Sequence, residues 1–223
     1  MRLEFSKFDA VIFDLDGTLV LTEHVWQAAK RSVAARFDVT VPDATLHAHT
    51  GRRLTDFVSE QLFTADEQPL AFGVAVAAIE AEALQRLGAE LSAVPGAQLL
   101  IRQLHESGHR LAICSSSSLK AIHIALDVLA IRDCFQEIFS AADLPRGKPD
   151  PAPFLATAQL MGVAPGHCVA IEDSLAGVTS ATSAGMFTVA VGNEPGVAES
   201  GLADLICPQL ADLIPTGVTV SPA

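Results

Sequence analysis

Lysine and arginine together number only 14 in 223 residues, against 26 acidic residues and a formal net charge of −12. That shortage of cations disfavours nonspecific binding to nucleic acid or to an anionic membrane surface. Any anion site must therefore be built from few parts. The four cysteines, Cys114, Cys134, Cys168 and Cys207, form no CxxC pair, which removes the zinc-knuckle and thioredoxin-like readings. The longest apolar run, PLAFGVAVAAI at 69–79, is too short to span a bilayer. The opening MRLEFSKFDA carries no apolar core of the signal-peptide kind. HExxH, GxSxG, Walker A and GxGxxG patterns are all missing, so metalloprotease, serine-hydrolase and nucleotide-cradling readings find no foothold. The expectation from these absences is a monomeric cytoplasmic protein with free thiols and with neither a membrane nor a nucleic-acid partner.

What is present argues for a compact globule: half the residues are hydrophobic and 18% are charged. Short β-branched runs recur at AVIF (10–13), RLAIC (110–114), CVAI (168–171) and FTVAV (187–191), each separated from the next by helical or loop-like sequence. That alternation predicts an α/β fold, a doubly wound parallel sheet with helices on both faces. PGAQLLIRQLHESG and DPAPFLATAQLMG have proline at the entry and glycine at the exit, and DSLAGVTSATSAG opens on capping residues, as helices do. About ninety residues separate the first two runs, far more than one crossover helix requires. Within them Val25, Ala29, Val33 and Phe37 recur every four residues. The chain therefore divides into a core, 1–20 with 93–223, and a helical insertion, 21–92. The closing PTGVTVSPA is expected to be loosely ordered.

The stretch VIFDLDGTLV at 11–20 sets two aspartates directly after a core strand. If the strand continues, Asp14 and Asp16 point to the same side, and two carboxylates at one spot demand a cation, a shared proton or a reaction partner. Open parallel sheets place their sites at the carboxyl ends of the strands. There this sequence puts Asp14 and Asp16, the serines 115–118, and Glu172 with Asp173; Lys148 sits in the loop RGKPDP between the second and third runs. Three carboxylates, a hydroxyl and an ammonium on one rim suit the transfer of a phosphoryl group. A calcium loop in place of DLDG would need further acidic positions and flanking helices, which are missing here.

DxDGT after a strand, a serine closing a second strand, Lys148 in GKPDP and the ED pair at 172–173, in this order, resemble the haloacid-dehalogenase-like hydrolases with a helical cap, in the sugar-phosphatase and β-phosphoglucomutase-like branch. The resemblance runs from about Phe8 to Leu213. It implies that Asp14 is a nucleophile forming an aspartyl-phosphate and that Asp16 is general acid and then base. It implies Mg²⁺ held by Asp14, the Asp16 backbone carbonyl and Asp173, with Glu172 reaching the ion only through water. Ser115 would bond a phosphoryl oxygen and Lys148 would neutralise charge. Ser116, Ser117 and, from the cap segment HTGRRLTDFV, Arg53 are the expected substrate contacts, with Arg52, His49 and Thr50 behind it. The chain departs from the family at Leu21, where relatives carry aspartate.

The implied activity is Mg²⁺-dependent hydrolysis of a small phosphorylated metabolite, a sugar phosphate. The alternatives are an isomerase of the β-phosphoglucomutase type and a noncatalytic metal- or phosphate-binding protein. Against the isomerase, the hinge position where such enzymes carry histidine is Trp26, and no lysine occurs from 31 to 119.

Overall fold

The computed structural model describes residues 3–64, 66 and 68–215. The expected loose end, 215–223, lies outside the described residues from 216 onward. β1 (Ala10–Phe13) runs into a tight turn and a short strand, β2 (Val20–Leu21), followed by α1 (Glu23–Ala35), α2 (Asp43–Ala48), α3 (Leu54–Gln61) and α4 (Pro69–Glu90). The chain returns through β3 (Ser92–Ala93) to α5 (Ala97–Glu106), β4 (Leu111–Ser115), α6 (Leu119–Val128), β5 (Glu137–Ser140) and α7 (Ala152–Met161). β6 (Cys168–Glu172), α8 (Leu175–Ser183), β7 (Phe187–Val191), α9 (Val197–Ser200) and β8 (Leu205–Cys207) complete it.

Six strands form one sheet in the order β5-β4-β1-β6-β7-β8, and every pairing is parallel. Period-2 alternation sorts the side chains. Val11, Phe13, Ile113, Val169 and Ile171 pack on one face beneath α5 and α6. Ala10, Ile12, Ala112, Cys168 and Ala170 pack on the other beneath Phe154 of α7 and Ala181 of α8. Truncating the fully buried Phe13 to alanine would cost about 3–5 kcal/mol. The sequence pattern predicts the four inner strands; β5 and β8 are additional. Both are edges: β5 is bounded by Glu137 and Ser140, and β8 is only three residues long, so neither carries the longer apolar run that marks a buried parallel strand.

β2 and β3 pair antiparallel, Val20 with Ala93 and Leu21 with Ser92, so the chain leaves and re-enters the core through one narrow ribbon. Leu21, in the departure from the family pattern, is exposed on that ribbon. Between the two strands α1–α4 build a core of their own around Val25, Val33, Phe57, Ile79 and Leu87. The apolar run at 69–79 lies in α4, where Ala75, Ile79, Ala83 and Leu87 make a single buried stripe at four-residue spacing. No described helix is long and apolar enough to cross a membrane. β1 lies between β4 and β6, so the carboxyl ends of these three strands meet where the winding reverses. The cap helices cover that point.

Candidate active site

Register places Phe13 of β1 beside Ile113 of β4 and Ile171 of β6, which brings Asp14 level with Cys114 and Glu172. Lys148 fills the space between them. Its ammonium donates to Asp14 Oδ1 at 2.6 Å, to Glu172 Oε1 at 2.6 Å and to the Cys114 carbonyl at 3.0 Å. That uses all its donors, and the amine lies 5.0 Å from the centre of the Phe154 ring. Burial works against this ammonium, yet Asp14 and Glu172 hold its pKa well above the usual lysine value. It is a fixed positive charge.

Glu172 is fully buried and wholly engaged. Its Oε1 takes Lys148, while Oε2 accepts from the backbone N–H groups of Asp173 and Ser174 and from the Ser174 hydroxyl. Ser174 caps α8 by accepting from Gly177 N–H at 3.0 Å. A Cβ at Gly177 would collide with the Glu172 carboxylate, so the glycine makes room for the anchor. Glu172 thus ties the helix start to the lysine.

Asp173 turns toward the β1 turn, where Thr18 Oγ1 donates to its Oδ1 at 3.0 Å. Gly17 has φ +98°, and a Cβ there would strike the Asp173 carboxylate. Burial, then the charge of Glu172 and then that of Asp14, raises the Asp173 pKa well above the carboxylate norm. Asp14 is raised in the same way, first by burial and next by Glu172, with Lys148 pulling against them. The carboxylates of Asp14, Glu172 and Asp173 offer oxygens within 4.8 Å of one another. Three carboxylates against one ammonium leave about two uncompensated negative charges in a buried space, so these residues fit a divalent, oxygen-seeking cation. Because Glu172 is already engaged, Asp14 and Asp173 are the carboxylates suited to hold it.

Asp16 does not share a spot with Asp14. β1 ends at Phe13, so two-residue alternation no longer applies, and the Asp16 carboxylate swings toward the cap. Its Oδ1 accepts from Thr22 Oγ1 at 2.5 Å and from Trp26 Nε1 at 3.1 Å. Its Oδ2 accepts from Ser117 Oγ at 2.7 Å and, at 3.4 Å, from Ser115 Oγ. Thr22 stands at the N-cap of α1 but makes no capping bond with its side chain. The hydroxyl serves Asp16 instead.

A cavity of about 600 Å³ opens over this floor, with Asp14, Asp16, Ser116 and Ser117 on the core side. The cap contributes Trp26, Lys30, His49, Thr50 and Arg52. Ser115 is buried at the end of β4, accepting from Ser117 N–H at 3.0 Å. Ser116 donates to the Gly51 carbonyl at 2.8 Å, which joins the cap loop to the core rim. Arg53 is not brought into the cavity. Its guanidinium is taken by Asp56 and by the Leu144 carbonyl, and it packs over Gly147 at a separate shallow groove. Its neighbour Arg52 lines the cavity, paired with Glu60. The start of α3 after Arg53 sends consecutive side chains in different directions. Sequence reasoning passed over Lys30, although a lysine beside the buried stripe Val25, Ala29 and Val33 was the available sign.

Fold and site together define a doubly wound α/β core capped by helices, with a buried aspartate–lysine pair at the strand switch point. A family profile for haloacid dehalogenase-like hydrolases matches residues 8–185, and the chain belongs to that family. It is 33% identical over 218 residues to β-phosphoglucomutase of Bacillus subtilis, covering 92% of this chain and 91% of that one. Hexitol phosphatase A of Escherichia coli is 30% identical over 207 residues, with 92% and 93% covered. Among solved structures, β-phosphoglucomutase from Clostridium difficile superposes with a TM-score of 0.83 at 24% identity, covering 92% and 93% of the two chains.

Proposed function

We propose that this hydrolase is a phosphatase that cleaves a small phosphomonoester, a sugar phosphate, through an aspartyl-phosphate on Asp14. The observation that carries the reading is the placement of Asp14, against the fixed charge of Lys148, on the floor of a cavity that also presents Asp16. Similarity to a hexitol phosphatase supports it. The Asp14 carboxylate attacks phosphorus and the ester oxygen departs, taking its proton from Asp16. Asp16 then removes a proton from water, which attacks the acyl phosphate and returns inorganic phosphate and free Asp14. Thr22 and Trp26 hold Asp16 Oδ1 from the cap side, which leaves Oδ2, released by Ser117, to exchange the proton. Ser115, Ser116 and Ser117 would supply donors to phosphoryl oxygens in exchange for their bonds to Asp16 and the Gly51 carbonyl. Lys148 keeps the nucleophile oriented and offsets the repulsion between the Asp14 carboxylate and the approaching phosphate. Mg²⁺ would be held by Asp14, Asp173 and the Asp16 carbonyl, and when bound it supplies the positive charge that lets an anionic carboxylate meet an anionic phosphate.

A mutase reading is favoured by the 33% identity to a β-phosphoglucomutase and by a cap lysine, Lys30, in the cavity. Against it stands Trp26. An indole N–H can hold Asp16 but can never accept its proton, so the hinge residue that touches Asp16 does not titrate. The test is to incubate the protein and its Asp14→Asn variant with sugar phosphates, with and without Mg²⁺, assaying free phosphate. A parallel incubation uses β-glucose 1-phosphate with a trace of glucose 1,6-bisphosphate. Phosphate release that vanishes in Asp14→Asn is the expected result. Glucose 6-phosphate accumulating without comparable phosphate would overturn the phosphatase reading.

A further inference from the structure

Lys30 lies on α1 one turn beyond Trp26, the residue that reaches Asp16. Residues four apart share a helix face, so Lys30 stands about 6 Å farther along the cavity wall from the reacting end. Its residue surface is 8% exposed, yet among the described residues it makes no hydrogen bond and no ion pair. The amine sits over the Phe57 ring, whose centre lies 5.1 Å away. An ammonium held this way is largely dehydrated and touches no countercharge; Glu23 and Asp16 favour its charge from a distance, but burial outweighs them and lowers its pKa to about 8. Such a cation lines the cavity with no anion in direct contact among the described residues.

The charge of that missing anion can be read from the surrounding wall. Arg52 lies in the same wall, but Glu60 already pairs with it. Glu23 and Glu80 also line the cavity and oppose a second negative charge. One ammonium is thus left to answer, which suits a monoanion better than a dianionic phosphate. We infer that Lys30 is a specificity-determining residue that pairs with a carboxylate at the far end of the substrate, so that the preferred substrate is a phosphorylated sugar acid. This rests on the reading of Asp14 as the group that receives the phosphoryl moiety from the other end. The carboxylate would complete the cation, and the sugar hydroxyls between would face Trp26, Thr50 and the serines.

The test compares 6-phosphogluconate with glucitol 6-phosphate, open chains that differ in carrying a carboxylate or a hydroxymethyl group at C1. Fructose 1,6-bisphosphate probes a second phosphate, and p-nitrophenyl phosphate reports the bare chemistry. The expected result is a kcat/KM about 10- to 100-fold higher for the acid than for the hexitol phosphate, the range of a hydrogen bond to a charged group. Lys30→Met should collapse that ratio toward one, and Lys30→Arg should keep part of it, with circular dichroism confirming that both fold. Equal values in the unaltered protein, a ratio that survives Lys30→Met, or preference for the bisphosphate would overturn the inference. Calorimetry on Asp14→Asn, with and without Lys30→Met, measures the same preference as binding. If nothing is hydrolysed, the phosphatase reading falls, while tighter, Lys30-dependent binding of the acid still decides the inference in its favour and equal binding decides against it.

Discussion

Replacing Lys30 by methionine should make the protein more stable. A lysine whose pKa falls from 10.5 to about 8 on folding carries its charge at neutral pH against a desolvation cost. At 1.36 kcal/mol per unit, that difference is about 3 kcal/mol. Methionine keeps most of the apolar stem, so Phe57 keeps a packing neighbour, but the ammonium–ring attraction of roughly 0.5–2 kcal/mol is lost. The net gain expected at pH 7 is about 1–3 kcal/mol. Its pH dependence is set by linkage. Between pH 8 and 10.5 the unfolded chain binds more protons at this residue than the folded one, so the unaltered protein regains stability as pH rises. The advantage of Lys30→Met should therefore shrink over that window, to less than roughly half its neutral value by pH 9.5. The groups that act on the amine are Glu23 and Asp16, which favour its charge, and Arg52, which opposes it. Cys114 and Cys168, both pushed up to about 11 chiefly by burial, also titrate in alkali. They are common to both proteins and cancel in the difference. Urea unfolding at pH 7 and 9.5, read by tryptophan fluorescence and circular dichroism, gives the two differences. A loss of stability in Lys30→Met at pH 7, or a difference that does not change with pH, would refute the claim of an unpaired, dehydrated ammonium.

Removing Lys148 should act in the opposite sense. Lys148→Met leaves Asp14 and Glu172 buried without their countercharge and is expected to lower stability by about 3–5 kcal/mol as well as abolish turnover, measured by urea midpoint and phosphate release. Chelation by EDTA should stop turnover and Mg²⁺ should restore it, with Ca²⁺ a poor replacement because it takes more and longer bonds; full activity in rigorously demetallated protein would sink the cation assignment. Trp26→Phe removes the indole donor to Asp16 while keeping the apolar contact, so kcat is expected to change more than KM, and an unaltered kcat would show that this bond plays no part in proton transfer.

The inner strands, the helical insertion and the grouping of Asp14, Ser115, Lys148 and Asp173 on one rim were legible because each rests on a local pattern. A buried parallel strand needs an unbroken apolar run, and the residue after it must face the open end of the sheet. What was not legible depends on direction. Arg52 and Arg53 are adjacent and chemically alike, and only the start of α3 decides that the former lines the cavity while the latter anchors the loop at Leu144. Asp16 followed the two-residue rule only on paper, because the strand stops at Phe13 and the turn hands its carboxylate to Thr22 and Trp26. Glu172 reads in sequence as a metal neighbour, but its position at a helix start recruits it to two backbone N–H groups and to Lys148. The same logic accounts for Lys30. Its neighbours on the chain mark the buried side of α1, where a lone cation is costly and should have been selected away unless something pairs with it. Asp14, Asp173 and Lys30 thus share a physical character: each is ionisable, largely withdrawn from water and incompletely compensated by the described residues. The first two call for a cation at one end of the cavity, and Lys30 calls for an anion at the other. A substrate with a phosphoester at one end and a carboxylate at the other satisfies both demands at once.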